Sequence, residues 1–212
     1  MKRCVIIGGA DIRNYVRIRS FLGDNDFYIF CDSGLKHQDA LGLLPDLIVG
    51  DCDSHEKPVT ETETIVLPCE KDDTDTVFAV KEALKRGFEE FLIVGAAGGR
   101  LDHTLANVSI LQMLKQAGKK ARMLDDYSEM EMVADEPVFI DDSFAFFSLL
   151  NVSGKARGID IENAKYPLKD AEITCEYQYG VSNEVLKGKK AKVTVSEGSL
   201  LLIKIFSQRT DC

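Results

Sequence analysis

Leu47-Ile48-Val49-Gly50-Asp51-Cys52-Asp53, residues 47–53, joins an apolar run to a glycine and two acidic residues. An unbroken apolar run of this kind is typical of a strand in a parallel sheet that is buried on both faces. Two more acidic segments follow apolar runs, at residues 71–75 (Lys-Asp-Asp-Thr-Asp) and 100–103 (Arg-Leu-Asp-His). Because the carboxyl ends of parallel strands line one crevice, the pattern predicts an α/β fold with its functional site at that edge.

Short apolar runs alternate with helical patterns up to about residue 125. This alternation predicts an α/β domain around a mainly parallel sheet. Asp11 is expected to cap the first helix, because an Asp side chain can accept a hydrogen bond from a helical N–H. The predicted strands lie at residues 4–7, 27–30, 47–49, 64–67, 91–94 and 121–124, and the two strongest predicted helices at 74–86 and 102–115.

The pattern changes after Asp126 to short strand-like runs separated by Gly, Asn, Asp and Ser. Such runs without a helical pattern predict a β-sandwich. We therefore expect two domains, an α/β domain at 1–126 and a β-sandwich domain at 137–212. The strand-like runs lie at 129–133, 137–140, 145–149, 158–161, 172–175, 192–195 and 200–206.

Composition excludes several classes of function. The 212 residues include 26 Lys and Arg against 35 Asp and Glu, a net charge of −9, which argues against nucleic acid as a partner. No apolar run approaches the ~20 residues of a membrane span, and the amino-terminal segment has no signal-peptide pattern. The six cysteines show no C-x-x-C spacing. We expect a cytoplasmic protein with reduced cysteines.

Asp51 and Asp53 flank one residue of the turn that follows the strand at 47–49. Residues i and i+2 of a tight turn can aim at one point, and like charges held together are unfavourable unless a cation neutralises them. A divalent metal is the functional interpretation, and Mg²⁺ held by carboxylates usually carries substrate phosphates. Ordinary turn formation by Asp is the structural alternative.

The segment 71–75 precedes a predicted helix and carries more polar groups than a helix cap needs. Lys71 can pair with a phosphate, and Thr74 can donate to a phosphate oxygen or to a metal-bound water. Asp75, inside the first turn, can face the crevice. The alternative is that these acids only complement the helix dipole.

The small residues at 95–99 join a predicted strand to a helix, and they allow backbone amides to approach a phosphate. Arg100 adds a bidentate donor, with Asp102 two residues further on; a loop that only needs positive φ at glycine is the alternative. For His103 we expect a capping or packing role. Asp32, at a strand end, is a candidate contact for a nucleotide or substrate, although the full dinucleotide fingerprint G-x-G-x-x-G is absent.

Taken together, these segments resemble thiamine pyrophosphokinase in its bacterial form. No single motif is specific, but their order and spacing span nearly the whole chain. The resemblance implies an α/β catalytic, nucleotide-binding domain and a β-sandwich domain for substrate binding and dimerisation. It also implies a homodimer whose thiamine pocket lies between the catalytic domain of one subunit and the β-domain of its partner. The matching segments are residues 45–54, 71–76, 98–103 with Asn107, 165–168 and 180–184.

The activity that the resemblance implies is Mg²⁺-dependent transfer of the terminal diphosphate of ATP to the hydroxyethyl oxygen of thiamine, with AMP as the other product. By position, the metal and catalytic residues would be Asp51, Asp53, Asp75 and Asp102. The triphosphate contacts would be Lys71, Thr74 and Arg100. Ser182 and Asn183 would contact thiamine.

One departure from the family pattern is Asp32-Ser33-Gly34, where the family usually has Asp-Gly-Gly; another is Asn163-Ala164 before Lys165. Three rival functions share parts of the acidic pattern. A diphosphotransferase for a pterin alcohol would lack the Ser-Asn-Glu loop at 182–184. A metal-dependent phosphohydrolase would consume substrate without an acceptor, and a thiamine diphosphate sensor would not need this many carboxylates beside phosphate.

Overall fold

A computed structural model describes residues 3–50, 62–68 and 73–207. The chain divides into two compact units, Met1–Asp126 and Tyr127–Cys212. Three of the predicted site residues, Asp51, Asp53 and Lys71, lie outside the described residues.

The described part of the first unit is built on a parallel sheet. Its strands are mostly apolar, and β1 and β3 are buried along their whole length, as expected for a sheet covered on both faces. The pairing is parallel throughout. The strands are β1 Cys4–Ile7, β2 Phe27–Cys31, β3 Leu47–Gly50, β4 Glu63–Val66, β5 Glu90–Val94 and β6 Lys120–Leu124.

The strand order of this sheet reverses beside β1. The order is β4-β3-β2-β1-β5-β6, so that the first four strands extend to one side of β1 and the last two to the other. Between β1 and β5 the connections diverge, which leaves a crevice at the carboxyl ends of the strands.

Helices connect these strands. Helix α3 begins after Thr74, whose side chain accepts a hydrogen bond from the backbone N–H of Val77. Helix α4 buries Ile110, Leu111 and Leu114, but its Leu105 is 63 % exposed. The helices are α1 Tyr15–Arg19, a 3₁₀ helix Asp32–His37, α2 Gln38–Leu41, α3 Asp75–Lys85 and α4 Leu101–Gln116.

The predicted cap of the first helix is wrong. Helix α1 starts later than expected, and Asn14 caps it by accepting a hydrogen bond from the N–H of Arg17 at 3.0 Å. The start is displaced because the Asp126 carboxylate accepts hydrogen bonds from the backbone N–H groups of Arg13 and Asn14, which draws this segment towards the end of β6. Asp11 instead pairs with Lys36 at 2.8 Å.

The second unit is a β-sandwich. One sheet has the order β7-β13-β9 and the other β11-β10-β12-β8, and the pairing within each is antiparallel. Apolar side chains from both sheets, among them Phe147, Ile159 and Leu202, form one core. The predicted fold class, an α/β domain followed by a β-sandwich, is confirmed. The strands are β7 Ser128–Val133, β8 Val138–Asp141, β9 Phe144–Leu150, β10 Lys155–Glu162, β11 Leu168–Thr174, β12 Lys190–Thr194 and β13 Leu200–Phe206.

Two of the expectations from composition can be compared with the structure. No helix among the described residues is long and apolar enough to cross a bilayer. Cys4 and Cys31 are buried in strands, and burial raises the pKa of the Cys4 thiol to about 12. Such thiols are inert small hydrophobes. Cys175 is exposed and forms no disulfide.

Candidate active site

A cavity of about 340 Å³ opens in the first unit, at the carboxyl ends of β1, β2 and β5. It therefore occupies the point where the strand order reverses, which is where ligands of open α/β sheets bind. The wall is formed by residues 9–11 after β1, Cys31 and Ser33 at the end of β2, residues 74–76 at the start of α3, residues 95, 96 and 98–100 before α4, and His103 and Asn107 on α4.

Two loops of this wall touch through their backbones. The N–H of Gly8 donates to the carbonyl of Val94, and the N–H of Ala10 donates to the carbonyl of Gly95, both at 2.8 Å. A Cβ atom on Gly8 would lie 2.5 Å from the Gly95 carbonyl oxygen, and one on Gly95 would lie 2.5 Å from the Gly8 carbonyl oxygen. Only glycine fits this contact, because a Cβ atom would overlap the facing backbone.

The loop between β5 and α4 contains glycines with positive φ angles. Gly98 and Gly99 have φ angles of +107° and +65°, with open space around them, so their backbone conformation rather than crowding requires glycine. Asn107, buried on α4, donates from its side chain to the carbonyl of Ala96 at 2.8 Å and holds the loop. Backbone N–H groups at the start of a helix favour a negatively charged ligand.

Arg100 and Asp102 form an exposed ion pair. The Arg100 guanidinium donates to both carboxylate oxygens of Asp102, at 3.2 and 2.5 Å. These hydrogen bonds lower the pKa of Asp102 to about 2. Arg100 lines the cavity, whereas Asp102 is not among the lining residues. Asp102 thus orients the arginine in this structure.

The start of α3 forms another part of the wall. Thr74, Asp75 and Thr76 line the cavity together, which brings two of the predicted site residues to the crevice. Asp73, one residue earlier, pairs with Lys81 at 2.7 Å and is not a lining residue. The helix start therefore separates an acid that faces the cavity from one that forms an exposed ion pair.

Asp32 occupies a different position. It is buried at the end of β2, and a Cβ atom on Gly50 would lie 2.4 Å from the Cβ of Asp32. Gly50 immediately precedes Asp51 in the sequence. Asp32 is not a lining residue, but Ser33 beside it is. Ser33 does not have a positive φ angle, so the serine is accommodated where the family pattern has glycine.

The second unit has its own cavity of about 290 Å³. Tyr166 and Tyr179 are partly exposed beside it, so their rings are accessible to a ligand. The lining residues are Ile161, Tyr166, Leu168, Tyr179, Gly180, Val181 and Asn183.

Asn183 braces this cavity. Its side chain accepts hydrogen bonds from the N–H of Tyr166 at 3.0 Å and of Glu184 at 2.9 Å, and donates to the carbonyl of Tyr166 at 2.8 Å. Ser182 has a φ angle of +59° and its N–H donates to the Ser148 hydroxyl. Ser182 is exposed and is not among the lining residues.

Sequence reasoning missed several residues of the first cavity. Gly9 and Ala10 had no assigned role, and Asp11 was assigned to the helix cap. His103 was expected to cap or pack, but it is exposed and lines the cavity. A signal was present in the two glycines at 8 and 9 directly after a strand, a position at which backbone approaches a neighbour closely.

The donor chemistry of the first cavity suits a hard cation. Magnesium in phosphoryl-transfer sites is held by one or two carboxylates together with substrate phosphates, and Asp75 supplies a carboxylate in the wall. Among residues 3–50, 62–68 and 73–207, no group of three His, Cys, Asp or Glu side chains is arranged to hold a metal ion. A magnesium ion here would thus need the phosphates of a substrate or ligands from outside those ranges.

Two family models match the chain, one in each unit. Residues 18–123 match the model described as thiamin pyrophosphokinase, catalytic domain, and residues 139–200 match thiamin pyrophosphokinase, vitamin B1 binding domain. A curated relative, thiamine pyrophosphokinase of Bacillus subtilis (strain 168), is 25 % identical over 216 residues, which cover 96 % of this chain and 99 % of the relative.

Solved structures have the same fold. A crystal structure of thiamine pyrophosphokinase from Bacillus subtilis matches with a TM-score of 0.85 at 22 % identity, over 97 % of this chain and all (100 %) of that one. The thiamin pyrophosphokinase from Geobacillus thermodenitrificans matches with a TM-score of 0.82 at 24 % identity, over 97 % and 98 %. Yeast thiamin pyrophosphokinase matches with a TM-score of 0.74 at 14 % identity, over 97 % and 86 %.

The chain has an α/β unit with a cavity at its switch point and a β-sandwich unit after it. Each unit is matched by its own family model, and together they define a two-domain enzyme of the kinase and transferase class. The catalytic model alone covers half of the chain. The chain belongs to the thiamin pyrophosphokinase family, and it is an enzyme that forms thiamine diphosphate with ATP. The resemblance drawn from the motifs is confirmed.

Proposed function

We propose that the protein transfers the terminal diphosphate of ATP to the hydroxyethyl oxygen of thiamine, with Mg²⁺ as cofactor and AMP as the second product. The observation that carries the proposal is the cavity at the switch point, inside the segment that matches the catalytic family model. In the reaction, the thiamine oxygen forms a bond to the β-phosphorus of ATP. The bond from that phosphorus to the α-phosphate oxygen breaks, and AMP leaves.

The nucleotide would bind along the loop before α4. Its backbone amides and the positive end of the α4 dipole suit phosphate oxygens, and Arg100 adds a guanidinium that Asp102 orients. Thr74 lines the cavity and can donate its hydroxyl proton to phosphate. Lys71 is assigned to the triphosphate from its position in the sequence. Asp32, buried and outside the wall, would support the nucleotide indirectly.

Asp75 is the residue that we assign to the reacting hydroxyl. Its place in the wall allows a carboxylate to orient the thiamine hydroxyl or to accept its proton. Asp75, Asp51 and Asp53 would hold Mg²⁺ together with the phosphates, and Asp102 would join them only by leaving Arg100. When bound, the ion neutralises charge that develops on the phosphate oxygens.

Thiamine would contact the cavity of the second unit, which lies within the match to the vitamin B1 binding model. Thiamine carries a cationic ring, and cations are attracted to aromatic faces such as those of Tyr166 and Tyr179. Ser182 and Asn183 are the proposed polar contacts, and Asn183 also fixes Tyr166. We further propose that the enzyme is a cytoplasmic homodimer, which light scattering on the purified protein would test.

Phosphorus NMR tests the reaction. Purified protein is mixed with ATP, Mg²⁺ and thiamine, and a matched sample lacks thiamine. Thiamine-dependent AMP and thiamine diphosphate are expected. ADP or inorganic phosphate formed at the same rate without thiamine would contradict the proposal and indicate a hydrolase. Turnover with a pterin alcohol but not with thiamine would indicate the other diphosphotransferase.

A further inference from the structure

A buried histidine lies directly behind the wall of the first cavity. His37 ends the 3₁₀ helix that follows β2, and only 1 % of its surface is exposed. Its Nε2 atom is 2.9 Å from the carbonyl oxygen of Ala10, and its Nδ1 atom is 2.8 Å from the hydroxyl of Tyr15. Ala10 is a wall residue, so the imidazole joins the wall to helix α1.

The partners determine the tautomer of His37. A carbonyl oxygen can only accept a hydrogen bond, so Nε2 carries the proton and donates it to Ala10. In the neutral ring Nδ1 then accepts the hydroxyl proton of Tyr15. Burial lowers the pKa of His37, which favours this neutral ring. Both ring nitrogens are therefore satisfied, by two different segments of the chain.

The segment that His37 contacts is held from two sides. The N–H of Ala10 donates to the carbonyl of Gly95 at 2.8 Å, while its carbonyl accepts from His37. Lys36 pairs with Asp11 at 2.8 Å in solvent, which is a weak restraint for an exposed pair. His37 is thus a buried polar group that donates to the Ala10 carbonyl and fixes the orientation of that peptide.

We propose that His37 is a positioning residue of the nucleotide site, which holds the Gly9–Asp11 segment in its binding conformation before ATP arrives. The inference rests on the proposed function, because the first cavity is taken as the ATP site. A wall that is already ordered loses less conformational freedom when a ligand binds, and so binds it more tightly. Without the imidazole, the Ala10 carbonyl would lose a buried donor and the segment could rotate.

Two substitutions separate the two ring nitrogens. In His37→Gln the side-chain amide can reach the position of Nε2 and donate to Ala10, whereas in His37→Asn the shorter amide reaches only the position of Nδ1. We expect His37→Asn to raise the KM for ATP by about 5-fold or more, the scale of an unsatisfied buried acceptor. His37→Gln should restore most of the affinity, and the KM for thiamine should stay within about 2-fold in both.

A matched control distinguishes positioning from general destabilisation. Ile18→Val removes one methyl group from a fully buried residue of α1 and should lower the melting midpoint without changing the KM for ATP. Equal KM values for ATP in the wild type, His37→Asn and Ile18→Val would overturn the proposal. The proposal would also be overturned if His37→Gln and His37→Asn raised the KM for ATP equally, because the Nε2 contact would then be irrelevant.

A spectroscopic measurement tests the contact itself. The chain has three histidines, so ring-nitrogen NMR resolves few signals, and the signal absent from His37→Gln identifies His37. We expect the tautomer protonated at Nε2 and a change in its shift when ATP is added without thiamine. Protonation at Nδ1 would overturn the proposal. If the wild type binds ATP but makes no AMP from thiamine, the proposed reaction fails while the His37 inference survives.

Discussion

The two cavities of this enzyme are lined by different kinds of residue. The first is lined by small residues, among them glycines 9, 95, 98 and 99, together with polar and charged side chains. The second is walled by side chains, mainly aromatic and aliphatic ones braced by Asn183. The contrast matches the ligands proposed for them, because phosphate is recognised by converging N–H groups and a cationic ring by apolar and aromatic surface. It also means that substitutions in the two sites should have different effects on activity and stability.

The largest effect at the first site is expected from the loss of the Asp75 carboxylate. Asp75→Asn should lower kcat by about 10²-fold or more, the usual scale for a lost general base. The measurement is AMP formation at saturating ATP and thiamine. The matched control is Asp73→Asn, two residues earlier, whose carboxylate pairs with Lys81 outside the cavity. Equal kcat values for the two variants, both folded, would remove Asp75 from the chemistry.

The close backbone contact between Gly8 and Gly95 should be sensitive to a single added methyl group. Gly95→Ala places a Cβ atom 2.5 Å from the carbonyl oxygen of Gly8 at a φ angle of +63°. Gly87→Ala has a similar φ angle, +82°, but open space, so it should cost only the ~1–2 kcal/mol of the left-handed backbone. We expect Gly95→Ala to cost about 3 kcal/mol or more by thermal or urea unfolding, because overlap adds to this strain. Similar losses of unfolding free energy in Gly95→Ala and Gly87→Ala would mean that the wall relaxes easily.

The second site should fail through its side chains instead. Asn183→Ala removes three hydrogen bonds and leaves the N–H and carbonyl of Tyr166 without this partner, at a cost of about 1–3 kcal/mol in stability. The KM for thiamine should rise while that for ATP stays unchanged. Ser182→Ala, on the exposed neighbour, should raise the thiamine KM by about 2- to 10-fold at constant stability, the scale of one neutral hydrogen bond. A rise in the KM for ATP in either variant would contradict the division of labour between the two sites.

The smallest effect concerns the exposed edge of the first site. The pKa of Asp102 is lowered to about 2 by Arg100, so the ion pair is complete above the ordinary carboxyl pKa and is lost as the pH falls through about 2. Carbon NMR of the Asp102 carboxyl should record this value at low salt and a higher one at high salt, because salt screens exposed pairs. In Arg100→Ala the pKa should return to its usual range. An unchanged value there would mean that another group causes the shift.

The sequence predicted most of the elements because their signals are local. The apolar run at 91–94 became β5 and the helical pattern at 102–115 became α4. The buried face of each helix was harder to predict. Leu105 fits the apolar spacing of α4, and yet it is exposed. That outcome depends on which neighbours cover each face, which no local pattern contains.

Part of the lining of the first cavity was predicted, also from local signals. Thr74 and Arg100 directly precede α3 and α4, and Asp75 begins α3. All three line the first cavity, and the starts of both helices were recognisable in the sequence. Gly9 and Ala10 were missed because their role comes from strand order: β5 pairs with β1 although some eighty residues separate them. Asn183 was predicted to line a site, but its bracing of Tyr166 depends on a contact between distant loops. The predictions for Asp51, Asp53 and Lys71 remain predictions.

The order of strands in the sandwich affects how the enzyme is made. Strand β13, at 200–206, lies between β7 and β9 and pairs with both of them. The ribosome adds roughly 5–20 residues each second, so β7 emerges on the order of ten seconds before its partner. Until then β7 and β9 lack the strand with which both of them pair. We therefore expect a nascent chain of this enzyme to expose unpaired strand edges, which can pair with other chains, until β13 has been made.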